Sequence, residues 1–201
     1  MAITNGYTDL ATYKSHFGIE DSQDDAAFER LITAVSRAID DICWQRFYTT
    51  ASDETRYYTA ERGDVLVPPE RIVSITTLKT DADGDRTYET TWTVSTDFDL
   101  LPYNAVLDGI PYRSIETTPN GSYSFPTTPK GVQLVGKFGW SSAPTGIVEA
   151  CLLASHRLMA RKNTPLGVSG AAAVGEMAVV VKTMKADPEI MEMLIPYKLR
   201  Y

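Results

Sequence analysis

The longest regular pattern of apolar and polar residues runs from Asp24 to Phe47. Apolar residues recur there at steps of three and four, which places them on one face of an α-helix. No glycine or proline interrupts the stretch, and Asp24 and Asp25 supply negative charge for its first turn. The pattern therefore predicts a helix of roughly six turns. Its apolar face comprises Phe28, Leu31, Ile32, Val35, Ile39, Ile42, Cys43 and Phe47.

One aromatic residue of this helix, Trp44, does not belong to the apolar face. It falls in line with Arg37 and Asp40 on the polar side. A large aromatic side chain in such a position requires a partner, either elsewhere in the chain or on another subunit. We therefore interpret the helix as one with neighbours on two sides, and Trp44 as a candidate interface residue.

Two further helical patterns flank the rest of the chain. Thr8 to Phe17 predicts a short helix with Thr8 as its N-cap and Gly18 as its stop. Residues 145–162 contain a stretch that is apolar over most of its circumference, which predicts a helix buried on more than one side. Because the 24–47 helix needs cover for its apolar face, we expect these two long helices to pack antiparallel.

Between the two long helices, residues 53–140 lose helical periodicity. They contain seven of the chain's eleven prolines, and short β-type runs alternate with turn signals. This spacing predicts a small antiparallel β domain, sandwich-like or barrel-like, inserted into the helical part. The segment Asp81–Asp85 predicts a hairpin turn, with Gly84 available for positive φ.

The predicted fold class is therefore α+β. A small helical bundle, formed by residues 1–50 and 141–162, has the 24–47 helix packed on the 145–162 helix. Residues 53–140 form the inserted antiparallel β domain, and residues 163–201 form an extended C-terminal arm that ends in a short helix.

The arm is predicted from an unusual combination of features. Its first half is rich in Gly, Ala and Val without any regular period, so it has too little patterned apolar surface to fold alone. A β-type run at 177–183 and a helix capped by Asp187 follow, both strongly apolar. We expect this half to dock on a neighbouring chain, the run at 177–183 as an added strand, with a tail folded back on its own subunit as the alternative. The residues expected to dock are Val179, Val180, Val181, Ile190, Leu194, Ile195 and Tyr197.

Composition and charge narrow the function classes. The chain has 201 residues, 43% of them hydrophobic, and a formal net charge of −7, which argues against a nucleic-acid binder with a basic patch. The charge is uneven, because residues 53–140 carry thirteen acids against eight bases while residues 141–201 carry five against seven. Such asymmetry suits head-to-tail contacts of complementary sign. No run of about 18 apolar residues or secretory leader is recognised, so we expect no membrane association.

The acidic segment beginning at Asp81 superficially resembles a calcium-binding loop. An EF-hand requires glycine at the sixth position and a bidentate glutamate at the twelfth. Those positions hold Arg86 and Trp92. We therefore interpret the segment as a plain acidic hairpin and expect no metal site there.

Candidate catalytic residues are sparse. His16 and His156 are the two histidines, and neither has metal-ligand spacing to another histidine or to Cys43 or Cys151. Cys151 and His156 lie five residues apart on a predicted helix and point to different sides. Both cysteines are expected to be buried and reduced. We predict no catalytic residue, no metal and no cofactor, and conclude that the chain is not an enzyme, with a ligand-binding module as the alternative.

Several short motifs, in order along the chain, resemble one known family. They include YTDLATYKSHFGI at 7–19, DDxxFERLITAVSRAIDDICxxRFY from Asp24, GVQLVGKFGW at 131–140 and DPEIxxxLxPY from Asp187. Together they resemble the head-to-tail connector (adaptor) proteins of long-tailed bacteriophages. The β-insertion looks like that of the larger, actinophage-type members.

This resemblance implies a structural virion protein. Family members form a homo-oligomeric ring, usually of twelve copies, that seats on the portal protein, continues the DNA channel and offers its lower face to a stopper or tail-terminator protein. Double-stranded DNA would pass without sequence-specific binding, which an acidic wall suits. The implied location is the neck of the virion, assembled in the host cytoplasm, with the arm docked on the portal or an adjacent subunit. Another neck or tail-completion protein of stopper type stays open as the alternative.

Overall fold

The computed structural model describes residues 3–162 and 177–199 of the chain. These residues form helices and antiparallel sheets, which confirms the predicted α+β class. The described residues divide into two compact units. The helical unit comprises those of 1–47 and 143–201, and the β unit comprises Tyr48–Ser142.

The helical unit contains five α-helices among its described residues. The first, α1, is capped by Asp9 instead of the predicted Thr8, because the Asp9 carboxylate accepts a hydrogen bond from the Thr12 amide at 2.7 Å. Gly18 ends α1 in the left-handed conformation, as predicted, with φ of 64°. The helices are α1 Leu10–Phe17, α2 Asp25–Cys43, α3 Thr145–Lys162, α4 Met177–Lys185 and α5 Pro188–Leu194, followed by a 3₁₀ turn over Ile195–Tyr197.

Helix α2 buries its apolar face as the sequence pattern predicts, and it packs against α3 and α4. It ends four residues before the predicted Phe47. The reason is local, because Trp44 has a left-handed backbone with φ of 59° and cannot continue an α-helix. The buried side chains of α2 are Phe28, Leu31, Ile32, Val35, Ser36, Ala38, Ile39, Ile42 and Cys43.

The described part of the C-terminal segment differs from the expected extended arm. The predicted strand at 177–183 is part of helix α4, which packs on α2. Val180 and Met184 are both fully buried. Because they are four residues apart, a helix places both on the same face, toward the core. Tertiary burial here overrides the β-propensity of the valines. In α5, which begins at Pro188 after the predicted Asp187 cap, Ile190 and Leu194 are buried.

This part of the segment therefore folds back on its own chain, which was the alternative to a docking arm. Helix α5 packs on α3 and α4, and both helices contact α2. The expectation for the Gly-, Ala- and Val-rich half concerns residues 163–176, which lie outside the described residues.

The β unit contains two antiparallel sheets in its described residues. The larger has strand order β1-β7-β3-β4 and the smaller β2-β6-β5. One apolar core includes side chains from both sheets, among them Leu66, Leu78, Ile115 and Leu134. The strands are β1 Glu54–Tyr58, β2 Val65–Leu66, β3 Ile72–Thr80, β4 Thr90–Trp92, β5 Phe98–Leu101, β6 Ser114–Thr117 and β7 Val132–Phe138.

A close approach of two backbones fixes the pairing of β3 with β7. The register shifts between Ile72 and Ser74 and again between Ile75 and Thr77. Between the two shifts, Gly136 pairs with Ile75, and a Cβ atom on this glycine would lie 2.1 Å from the Ser74 carbonyl oxygen. Glycine is therefore required at this position of β7.

Candidate functional site

Trp44 lies at the surface of the helical unit, with 69% of its area exposed. The residues on both sides of it hold the C-terminal segment. The Cys43 carbonyl accepts a hydrogen bond from the Leu199 amide at 3.0 Å, and the Gln45 side-chain amide donates to the Tyr197 carbonyl. The large exposed aromatic predicted from the sequence is thus placed beside the end of the described chain.

That end of the chain also exposes an aliphatic residue. Ile195 is 48% exposed and Pro196 follows it at the surface. Tyr197 is turned inward instead, and its ring meets that of Phe47 edge-on at 5.9 Å. We call Trp44, Ile195 and Pro196 the Trp44 surface.

The other residues predicted to dock are distributed differently. Val180, Ile190 and Leu194 are buried inside the helical unit, and Val181 is half-buried. Val179 lies within α4, in a stretch whose side chains are not described. The residues on either side of Trp44 thus bond to the C-terminal segment that contains Ile195, whereas the three buried residues stabilise the core of the helical unit.

A second exposed apolar feature lies in the β unit and was not predicted from the sequence. Between β5 and β6, Leu107 is 86% exposed, Val106 is 74% exposed and Tyr103 is 67% exposed. The signal was present in the sequence, because Val106 and Leu107 stand between the turn formers Asn104 and Asp108. An apolar pair framed in this way predicts a loop tip rather than a strand.

This β5–β6 loop, residues 102–113, is held by its own backbone. The amide of Ala105 donates to the Pro102 carbonyl at 3.0 Å, and the amide of Ile110 donates to the Ala105 carbonyl at 2.9 Å. Ala105 itself is fully buried. Gly109 has φ of 65°, a left-handed conformation that glycine adopts without strain. The apolar tip is therefore presented on an ordered base.

The acidic segment after β3 forms the predicted turn. Carboxylate oxygens of Asp81, Asp83 and Asp85 lie within 4.8 Å of one another. Asp81 accepts hydrogen bonds from the amides of Gly84 at 2.7 Å and Arg86 at 2.9 Å. Burial acts to raise the pKa of Asp81, but these backbone donors hold it below its ordinary value. Gly84 has the predicted positive φ, at 85°, so the carboxylates serve the turn itself.

A buried polar cluster ties the N-terminal segment to the end of α2. The Tyr7 hydroxyl donates to an Asp40 carboxylate oxygen and accepts from the Phe47 amide at 3.0 Å. The Arg37 guanidinium lies 3.3 Å from the other Asp40 oxygen. Burial raises the pKa of Asp40 to about 6, and burial together with the Asp40 charge raises the pKa of Tyr7. These contacts hold the N-terminal segment against the C-terminal end of α2.

Cys151 and His156, which the sequence places on different sides of one helix, have different partners in the structure. The Cys151 sulfur lies 3.6 Å from the Ser36 hydroxyl, and burial raises the pKa of the thiol to about 11. His156 stacks on Phe17 with ring centroids 3.9 Å apart. Because the thiolate is the nucleophile, a buried thiol with a raised pKa is inert at neutral pH.

Within the described residues, none of the helices is both long enough and apolar enough to span a membrane.

No protein-family model matches the chain, and no curated protein sequence matches it significantly. Its fold is similar to three chains in solved structures of gene transfer agent (GTA) particles. A chain from the neck of an empty particle, computed with C6 symmetry, has a TM-score of 0.57 at 17% identity. A chain from the neck of a native particle, computed with C12 symmetry, gives 0.56 at 16%, and one from the native virion gives 0.55 at 21%. Each comparison covers 100% of this chain and 94% of the other, so the shared fold extends over the whole length.

Proposed function

We propose that the chain is a structural protein of the neck of a phage-like virion, and specifically a head-to-tail adaptor. The observation that carries the proposal is the fold match over the full length to chains from particle necks. The ordered series of sequence motifs that resembles phage adaptors supports the same role independently. In this role the protein joins the portal of the filled head to the next neck or tail protein and acts without catalysis or cofactor.

The proposed assembly is a ring of twelve copies. The similar chains come from necks computed with C6 and with C12 symmetry. A ring of twelve copies is compatible with both symmetries, because every sixfold rotation is also a symmetry of a twelvefold ring. Every subunit of such a ring must carry two different contact surfaces, one for each neighbour.

The charge of the chain suits a channel that double-stranded DNA crosses. The formal net charge is −7, and an acidic wall repels phosphates instead of retaining them. We therefore propose passage of DNA without sequence-specific binding. Removing acidic charge from the channel wall would slow genome exit before it affected assembly.

The test is the position of the chain in purified particles. A cryo-electron map of the neck should show a twelvefold ring of this fold in direct contact with the portal. Particles produced without the chain should accumulate as filled heads that lack tails, counted by negative-stain microscopy. A ring that sits one layer below the portal would identify a stopper-type neck protein instead, and absence of the chain from the particle would overturn the proposal altogether.

A further inference from the structure

Among the described residues, each unit exposes a group of large apolar side chains. In the β unit it is the tip of the β5–β6 loop, formed by Tyr103, Val106 and Leu107. In the helical unit it is the Trp44 surface. Both stay in water in the isolated chain, at fractions that are unusual for large apolar side chains grouped together.

The β5–β6 loop is preorganised for contact with a partner. Besides the bonds of Ala105, the Asp108 amide donates to the Asn104 carbonyl at 3.0 Å, and the Arg113 amide donates to the Leu101 carbonyl at 2.7 Å. Little conformational freedom is left to lose on binding, which is the main cost that preorganised loops avoid. The exposed Leu107 is thus a ready anchor for an apolar pocket or patch.

The surroundings of the loop are acidic. Asp108 is exposed at the tip, and Asp99 on β5 lies directly opposite Glu116 on β6. Like charges directly opposite each other destabilise an antiparallel pair, so a cationic partner would relieve the repulsion. Arg113 at the end of the loop offsets part of this charge. The loop therefore presents apolar side chains with a surplus of negative charge.

Cationic side chains lie around the Trp44 surface. Arg46 is exposed two residues after Trp44, and Lys198 is half-buried beside Cys43, where its charge acts to lower the pKa of that thiol. Two acids of α2 offset part of this charge: Asp41, and Asp40, which interacts with Arg46 and also forms an ion pair with Arg37. Apolar side chains here are thus accompanied by two cations, which match the acids of the loop.

We propose that the β5–β6 loop of one copy docks on the Trp44 surface of a second copy. The inference rests on the proposed ring and names the two surfaces by which neighbouring subunits meet. The contact is heterologous, because the loop and the Trp44 surface are different parts of the chain. Repeated around an axis, such a contact forms a closed ring when the rotation between neighbours is one twelfth of a turn, as the proposed ring requires. Leu107 and Val106 supply the buried apolar area, and Asp108 faces Arg46 or Lys198.

Cysteine cross-linking in purified particles tests this contact. A chain carrying both Leu107→Cys and Ile195→Cys is treated with a short bismaleimide and run on a denaturing gel. We expect a ladder of covalent oligomers up to the full ring, because each copy is linked to two neighbours. The native thiols do not interfere, since burial raises the pKa of Cys43 to about 12 and that of Cys151 to about 11.

Matched controls define the expected result. Each single-cysteine variant alone should give no ladder, and particles that contain both single variants should stop at dimers. Val94→Cys combined with Ile195→Cys should stay monomeric, because exposed Val94 precedes β5 at its opposite end from the loop.

The outcomes separate this inference from the proposed function. If the chain lies in the neck but the Leu107→Cys, Ile195→Cys variant gives no ladder, the docking contact is wrong and the neck role stands. A link from Leu107→Cys to a different virion protein overturns the contact and assigns the loop to that protein. If the chain is absent from particles, both conclusions fail.

Discussion

Tyr7 and Asp40 meet at the buried end of α2, where the tyrosine hydroxyl donates to the carboxylate and at the same time accepts from the Phe47 amide at 3.0 Å. One hydroxyl thus joins the segment before α1 to the residues that follow α2. Because Trp44 lies between Asp40 and Phe47, this cluster also fixes the base on which Trp44 is exposed. The polar cluster and the proposed contact surface are therefore structurally linked.

The first prediction concerns the pH dependence of stability. Burial raises the pKa of Asp40 from 3.8 to about 6, against the lowering effects of Tyr7 and Arg37. A carboxyl group whose pKa is raised by folding stabilises the protein fully below 3.8, and that contribution is lost as the pH rises through about 6. Its size is at most ~3 kcal/mol.

Asp40→Asn removes this titration while keeping an oxygen that accepts from Tyr7. Between pH 4 and pH 7, the free energy of unfolding of the wild type should fall relative to that of the variant, as measured by urea denaturation. Asp41→Asn, an exposed neighbour in the same helix, is the matched control and should track the wild type. Parallel curves for wild type and Asp40→Asn would contradict the assignment.

The second prediction tests the packing of α2 on α3. Leu31 in α2 and Leu152 in α3 are both buried. Leu31→Ala or Leu152→Ala should each lower the free energy of unfolding by ~2–5 kcal/mol, through lost transfer energy and the cavity left behind. Leu107→Ala, in the exposed loop, should change it by less than ~0.5 kcal/mol. Losses well below 1 kcal/mol at both buried sites would show that the wrong helices have been paired.

The elements that could be predicted from the sequence are those whose hydrophobic pattern is compatible with a single type of secondary structure. The spacing from Phe28 to Cys43 fits a helix and no strand, so α2 and its buried face were correct. The run at 177–183 contains three consecutive valines, which favour a strand by propensity. What makes it a helix is that Val180 and Met184 both reach the helical core, and contacts of that kind are not visible in a local pattern.

The candidate surfaces were predictable to different degrees. Trp44 was recognised because a large aromatic side chain on a polar helix face conflicts with its surroundings. Leu107 was missed, because the turn formers Asn104 and Asp108 locate a loop but do not show which of the apolar residues between them is buried and which is exposed. In the fold, Ala105 is fully buried, whereas Val106 and Leu107 directly after it are exposed. Exposure is a property of the assembled fold.

The third prediction concerns the independence of the two units, which we propose fold separately. Replacing residues 53–140 by a short Gly/Ser linker should leave a soluble helical remainder. The reason is that helices α2, α3, α4 and α5 pack on one another and bury their apolar faces without the β unit. Circular dichroism should show a helical spectrum and a cooperative thermal transition. A remainder that is unfolded would place the β residues in the same folding unit as the helices.

The last prediction separates stability from assembly at two adjacent residues. Leu194 is fully buried in the helical unit, whereas Ile195 is 48% exposed. Leu194→Ala should lower the free energy of unfolding by ~2–5 kcal/mol, since it leaves a cavity where a fully buried side chain was. Ile195→Ala should change it by less than ~0.5 kcal/mol, because the side chain lies largely in water.

In assembly the order should reverse. Ile195→Ala, and more strongly Ile195→Asp, should leave the purified chain folded but reduce its incorporation into particle necks, because the change weakens the proposed contact with the β5–β6 loop. Leu194→Ala, compared at a temperature at which it is still folded, should be incorporated like the wild type. Quantitative mass spectrometry of purified particles measures both. Normal incorporation of Ile195→Asp would remove the C-terminal turn from the subunit contact and leave Leu194 with a purely structural role.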